Sequence, residues 1–130
     1  GLTLAAFAFP ALADAVEDGA NDFKKCKACH SIIDNDGNAI VKGGKTGPNL
    51  YGVVGRQIGT YPDFKYGTAI VAAGADGTVW DEAMITAYVA DPGAWLKEKT
   101  GDAAAKSNMS FKLKDGANVA AYLATMKPAQ

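Results

Sequence analysis

The residues best suited to chemistry are two cysteines and a histidine in the run Cys26-Lys27-Ala28-Cys29-His30. In a helical turn, positions three and four residues apart share one face, so both thiols and the imidazole would point the same way. The C-x-x-C-H spacing is the attachment signature of c-type haem. It predicts one haem c bound covalently through Cys26 and Cys29, with His30 as an axial ligand of the iron.

Three other interpretations of these residues are weaker. A thioredoxin-type pair needs its first cysteine at a helix N-terminus after a strand, whereas Cys26 follows the start of an amphipathic helix by a dozen residues. A structural disulfide would leave His30 as a spectator. A zinc site would find three ligands here and would need a fourth from an unspecified carboxylate.

The composition sets further limits on function. The chain has 130 residues with one His and two Cys, and its 13 Lys and Arg against 14 Asp and Glu give a net charge of −1. These numbers exclude a Cys₂His₂ finger, a Cys₄ site and an H-E-x-x-H zinc enzyme. The lack of a basic excess argues against nucleic-acid binding. Hydrophobic residues at 48% and charged residues at 21% are typical of one globular domain.

The first 13 residues differ from the rest of the chain. Residues 1–13 carry no charge, are almost wholly apolar, and end in the small-x-small triplet Ala11-Leu12-Ala13. They are shorter than the roughly 20 residues that a helix needs to span a bilayer. We interpret them as the remnant of a secretory signal peptide, with a buried segment or an uncleaved anchor as alternatives. Residues 14–130 then form a single domain, exported in a bacterium to the periplasm.

Helical periodicity and capping signals predict an all-α fold of four to five helices with long loops. Helix starts are indicated at four residues: Asp14, Asp81, Asp91 and Asp115. Gly101 and Pro128 are stop signals. Residues 31–67 hold eight Gly and two Pro without amphipathic periodicity, so they predict a long irregular segment and no strand. Loops of this length are usually functional.

An iron with six ligands needs a second axial residue. Because the chain has no second histidine, the candidates are Met84, Met109 and Met126. Met84 and Met126 fall on apolar helix faces, where a core position is the default. Met109 lies in the polar run 106–111, where a thioether has no packing role. We therefore predict Met109 as the ligand opposite His30. With both axial positions filled, the site predicts electron transfer and not an enzyme.

The order of motifs along the chain resembles the class I c-type cytochromes, and among them the bacterial cytochrome c2 group, close to mitochondrial cytochrome c. The resemblance runs from about Asp14 to Lys127. Its matches are, in order, residues 26–30, 46–50 (TGPNL) and 52–56 (GVVGR), Tyr66, Trp80, Tyr88 before Asp91-Pro92, Met109 with Phe111, and residues 121–123 (AYL). Insertions before Trp80 and Met109 resemble those of the larger cytochromes c2.

The resemblance implies the cytochrome c fold around one haem c, and it implies roles for further residues. The carbonyl of Pro48 would accept a hydrogen bond from His30 Nδ1. Arg56, Tyr66 and Trp80 would bind or neutralise the haem propionates, which are costly to bury unpaired. The crossing of the first and last helices would be formed by Gly19, Phe23 and Tyr122.

The resemblance also implies a soluble, periplasmic, monomeric carrier of single electrons that docks only transiently. Its donor would be a membrane cytochrome bc complex, and its acceptor a terminal oxidase or a photosynthetic reaction centre. The alternatives are a haem c enzyme or gas sensor with an open or displaceable sixth position, and a haem-free thiol oxidoreductase.

Charge is distributed unevenly along the chain. Residues 24–45 and 97–114 each hold five lysines and two acidic residues, a net +3, whereas residues 57–96 hold Lys65 and five acidic residues, a net −4. Both basic windows contain or lead to a predicted iron ligand. We therefore expect a positive surface around the haem edge and an acidic rear, which would orient the protein towards acidic partners.

Overall fold

The computed structural model describes residues 8–128, in which five α-helices are joined by long loops. The helices are α1 (Ala8–Asp22), α2 (Thr68–Gly74), α3 (Glu82–Ala90), α4 (Pro92–Thr100) and α5 (Ala117–Ala124). A short 3₁₀ helix, Phe23–Lys25, continues α1, and two short antiparallel strands follow it, β1 (Ile32–Ile33) and β2 (Ala39–Val41). The predicted helical class is confirmed. Of the helices in this part of the chain, none has both the length and the apolar character to cross a membrane.

The starts of α3 and α4 confirm two predicted caps. The carboxylate of Asp81 accepts a hydrogen bond from the backbone N–H of Met84 at 2.7 Å. Asp91 does the same for the N–H of Ala94 at 3.1 Å. Each carboxylate thereby satisfies a donor that the first helical turn leaves free. At the other end of α4, Gly101 has a φ of 70°, a left-handed conformation that glycine adopts without a Cβ clash.

The other two helix starts differ from the prediction. The described part of α1 already includes Ala8, so this helix starts before the predicted Asp14. Alanine and leucine, which precede Asp14 at residues 11–13, are strong helix formers. Helix α5 begins at Ala117 and not at Asp115. Its N-cap is a glycine packed so closely against α3 that a Cβ there would meet a valine side chain.

The prediction that residues 31–67 contain no strand is wrong. Strands β1 and β2 pair within this segment, and Asp34 shapes the turn between them by accepting hydrogen bonds from the N–H groups of Asp36 at 3.0 Å and Asn38 at 2.8 Å. Strands of two and three residues are too short to show an alternating pattern. Helix α2, with seven residues, is likewise too short for its periodicity to predict it.

The predicted crossing of the first and last helices is confirmed. A Cβ on Gly19 would collide with the backbone of Asn118 and with Tyr122 in α5, so only glycine lets the two backbones approach this closely. The rings of Phe23 and Tyr122 pack with centroids 5.9 Å apart. This crossing fixes the end of α1, and with it the position of the cysteine motif that follows.

Candidate cofactor site

The helices and loops surround a cavity of about 260 Å³ with mostly apolar walls. Its lining comes from segments far apart in the sequence, between Phe23 near the start and Leu123 near the end. Every residue that the sequence analysis assigns to cofactor binding lines this cavity: Cys26, Cys29, His30, Pro48, Arg56, Tyr66, Trp80 and Met109. The structure thus brings together eight residues spread over more than 80 positions.

The cysteine motif forms one helical turn after the 3₁₀ helix. The N–H groups of Cys29 and His30 donate to the carbonyl of Cys26 at 3.2 Å and 3.0 Å. Both cysteines are free thiols, Cys26 half-buried and Cys29 exposed. Burial, reinforced by the negative charge of Asp22, raises the pKa of the Cys26 thiol. A thioredoxin-type nucleophile needs the opposite, a thiolate stabilised at a helix N-terminus, so this environment argues against that alternative.

His30 is held in one orientation. Its Nδ1 donates to the carbonyl of Pro48 at 2.8 Å, as the resemblance implies. A carbonyl can only accept, so Nδ1 carries the proton and Nε2 keeps a free lone pair. Burial lowers the pKa of His30, which favours the neutral imidazole that binds metals. Gly47 lies against the ring so closely that a Cβ would collide with it.

Met109 differs from the other two methionines in its position. Of the three, all within the described residues, only Met109 lines the cavity, whereas Met84 and Met126 pack against the hydrophobic core. The Ser107 hydroxyl accepts a hydrogen bond from the N–H of Met109 at 3.0 Å and donates to its carbonyl at 2.9 Å. Met109, with its soft sulfur, and His30, with its free nitrogen, therefore line the same cavity.

Arg56 places a positive charge at the cavity wall. Its Nη2 donates to the carbonyls of Asn49 at 3.1 Å and Tyr51 at 2.7 Å, and its guanidinium carbon lies 4.7 Å from the centre of the Tyr61 ring. Among residues 8–128, no carboxylate pairs with it. A half-buried cation without a carboxylate partner suits a ligand with anionic groups.

Aromatic side chains complete this wall. The Tyr66 hydroxyl accepts a hydrogen bond from the N–H of Tyr61 at 2.9 Å, so its own proton is free to donate. Trp80 is buried and packs against Tyr88, with ring centroids 5.1 Å apart, and against Trp95, with centroids 5.4 Å apart. Burial raises the pKa of Tyr88, which also lines the cavity.

Several residues of the wall were not predicted as site residues. They are apolar or small: Leu50, Val53, Phe64, Ile70, Ser107 and Phe111. Such side chains look like ordinary core residues in a sequence. One signal was available, since Phe64 and Phe111 are bulky apolar residues in segments without helical periodicity and must pack against something other than a helix face.

These features fit haem c. Two free thiols stand one helical turn apart, beside a neutral imidazole with an open nitrogen and a thioether in the same apolar cavity. Nitrogen and thioether sulfur are the axial donors of electron-transfer haem proteins. The unpaired guanidinium of Arg56 suits the carboxylates of a porphyrin.

Known proteins resemble this chain in both sequence and fold. The chain is 61% identical over 120 residues to cytochrome c2 of Rhodobacter capsulatus, covering 92% of this chain and 88% of that protein. It is 55% identical over 134 residues to cytochrome c-550 of Paracoccus versutus, covering 97% and 86%. No protein-family model matches the chain.

Solved structures give the same result. The structure of Rhodobacter capsulatus cytochrome c2 superposes with a TM-score of 0.83 at 61% identity, covering 85% of this chain and 96% of that one. Ferric cytochrome c-550 of Paracoccus versutus superposes with a TM-score of 0.84 at 52% identity, covering 87% and 98%. Proteins of this kind are electron carriers with one covalent haem c, so the comparisons support the electron-carrier interpretation and not the alternative of a haem enzyme or gas sensor. On sequence and fold together, the chain belongs to the class I c-type cytochromes, in the group of the bacterial cytochromes c2 and c-550.

Proposed function

We propose that this cytochrome carries single electrons through a haem c attached to Cys26 and Cys29, with His30 and Met109 as the axial ligands. The observation that carries the proposal is that these four side chains line one mostly apolar cavity, while the other two methionines pack elsewhere. With His30 and Met109 both bound to it, the iron would have no open position for a substrate. The site therefore suits electron transfer alone.

The bound haem would supply a one-electron couple between ferric and ferrous iron. The chain's own residues tune that couple. The hydrogen bond from His30 to Pro48 fixes the tautomer and the ring plane of the imidazole. It also makes the lone pair of Nε2 more basic, and so a stronger ligand for a metal. The thioether of Met109, as a ligand, would favour the reduced state and raise the potential. The apolar wall keeps water from the site.

Arg56, Tyr66 and Trp80 would hold the propionate groups. Arg56 offers a cation without a carboxylate partner, and Tyr66 has a hydroxyl proton free to donate. Trp80 would contribute its indole N–H from a buried position. Carboxylates are costly to bury unless they are paired and hydrogen-bonded, so these residues would stabilise the bound cofactor.

The cytochrome carries electrons between redox complexes, and its charge suggests which kind. Among residues 8–128, three cationic side chains line the cavity, Lys25, Arg56 and Lys106, and no carboxylate does. The two lysines are exposed, so they would form a positive margin where the haem edge meets solvent. We propose a membrane cytochrome bc complex as the donor and a terminal oxidase or photosynthetic reaction centre as the acceptor, with transient docking of a monomer.

We propose that the protein works in the periplasm after loss of residues 1–13. Leu12 is 61% exposed and residues 11–14 all face solvent, so cleavage after Ala13 would remove no core contact there. Protein purified from a periplasmic extract should begin at Asp14, or at Val16 if the peptidase cuts after Ala15. Intact-mass analysis reads this directly. Retention of residues 1–13 in most of the exported protein would contradict the proposal.

Spectroscopy of the purified protein tests the proposed function itself. The haem bands should survive denaturation and extraction with acid and organic solvent, because the links to Cys26 and Cys29 are covalent. A variant with both cysteines changed to alanine is the matched control, and any haem it retains should be extracted. The oxidised protein should show a sulfur-to-iron charge-transfer band, and redox titration should follow a one-electron curve. Loss of haem from the unmodified protein on extraction would refute covalent attachment.

A further inference from the structure

Residues 106–112, here called the Met109 strap, have few ties to the rest of the molecule. Six of them, residues 106–111, line the cavity. In the described part of the chain, none of the strap's backbone groups forms a hydrogen bond with another backbone group. The two bonds of Ser107 to Met109 lie within the strap itself. Between its ends, the strap also meets α3 where the Tyr88 hydroxyl faces that of Ser107. The backbone of the strap is otherwise held at its two ends.

The near end of the strap is held by a lysine of α4. The ammonium of Lys97 donates to the carbonyl of Ala105 at 2.8 Å, and Ala105, the residue before the strap, is only 5% exposed. A hydrogen bond from a charged donor is roughly twice as strong as a neutral one. Lys97 thus ties the helix to the buried residue from which the strap departs.

The far end is held in a different way. The N–H of Leu113 donates to the carbonyl of Val89 in α3 at 2.7 Å. Lys112 also lies 3.5 Å from Asp91, but these side chains are 61% and 48% exposed, and exposed ion pairs contribute little. The far end is therefore held by a backbone hydrogen bond, which remains when side chains are changed. The near end is held instead by the Lys97 side chain, through its bond to the carbonyl of Ala105.

We propose that Lys97 is a positioning residue for Met109. By holding Ala105, its ammonium keeps the strap closed over the cavity and sets how often Met109 leaves its place. When the bond is lost, the strap swings about Leu113 and opens the sixth position to small neutral bases. The inference rests on the proposed role of Met109 as the iron ligand.

Three variants of the holoprotein test the proposal. Lys97→Met keeps the length of the side chain but removes its donors, and Lys97→Arg keeps a charged donor. Lys99→Met is the matched control, because Lys99 lies on the same helix and pairs with Asp76 at 3.0 Å, away from the strap. The probes are the rate at which imidazole at saturating concentration binds the ferric protein, and amide hydrogen exchange at Met109, the strap residue whose N–H is hydrogen-bonded, here called strap exchange.

We expect Lys97→Met to raise the imidazole-binding rate and strap exchange about tenfold, the change expected from losing one hydrogen bond of a charged donor in a partly exposed setting. In Lys97→Arg, both rates should return most of the way to those of the unmodified protein. In Lys99→Met, both rates should equal those of the unmodified protein. Exchange in α1 and α5 should stay unchanged, which separates strap opening from general destabilisation. Equal behaviour of Lys97→Met and Lys99→Met would overturn the proposal.

Met109→Ala and Lys97→Met distinguish the ligand assignment from the role of Lys97. If Met109→Ala keeps the sulfur-to-iron band, the ligand assignment fails and the Lys97 inference fails with it. If Met109→Ala loses the band while Lys97→Met leaves both imidazole binding and strap exchange unchanged, the ligand assignment stands and only the role of Lys97 is refuted.

Discussion

Replacing Met109 by alanine is expected to leave haem attached while opening its sixth coordination position. Cys26 and Cys29 are untouched, so the covalent links should form as before. The variant should lose the sulfur-to-iron band, bind carbon monoxide when reduced, and show a markedly lower reduction potential, because a thioether ligand stabilises ferrous iron. Absorption spectra with and without carbon monoxide, together with a redox titration, measure all three effects.

The other two methionines provide the controls. Met84 and Met126 pack against the hydrophobic core and do not line the cavity. Met84→Leu and Met126→Leu should therefore keep the sulfur-to-iron band and lower the unfolding free energy by less than about 1.5 kcal/mol, as volume-conserving apolar substitutions do. If Met84→Leu removed the band and Met109→Ala did not, the assignment of the axial ligand would be wrong.

The parts of the fold and site that were predictable depend on chemistry between near neighbours in the sequence. The turn at Cys26 follows from residues three and four positions apart, and the caps at Asp81 and Asp91 from a carboxylate three residues before the N–H that it binds. The position of Met109 at the cavity is predictable for the same kind of reason, since a thioether in a polar loop has no local packing partner. Such signals are readable in a single sequence because the interacting groups share one segment.

The parts that were not predictable depend on contacts between distant segments. Phe64, in the loop after β2, and Ile70, in α2, line the same cavity as the cysteine motif, more than 30 positions earlier in the sequence. The start of α5 is set by close packing of Gly116 against Val89, not by a capping side chain. The tie from Lys97 to Ala105 crosses the end of α4 and a loop. None of these contacts leaves a periodic pattern, so they become visible only in three dimensions.

The positive margin of the cavity should control how fast the protein meets its partners. Lys25 and Lys106 are exposed and line the cavity, with no carboxylate beside them in the lining. Lys112, which the sequence also places in a basic window, is partly offset by Asp91 at 3.5 Å. A net charge of −1 thus conceals a local positive region. Charges at the edge of an interface act chiefly on the association rate, through long-range attraction before contact.

Reversing Lys25 or Lys106 to glutamate should therefore slow association with an acidic redox partner more than reversing Lys65. Lys65 is the control because it is exposed, does not line the cavity, and lies in the acidic stretch 57–96. Reversing Lys112 should have a smaller effect than reversing Lys25, since Lys112 does not line the cavity. The differences should shrink as salt rises, because the Debye length falls from about 30 Å at 0.01 M to about 8 Å at physiological ionic strength.

The electron-transfer step within the docked complex should change little. Stopped-flow oxidation by the isolated acceptor across a salt series separates the two steps, and equal slowing by every variant, or rates indifferent to salt, would show that docking depends on apolar contact and not on these lysines.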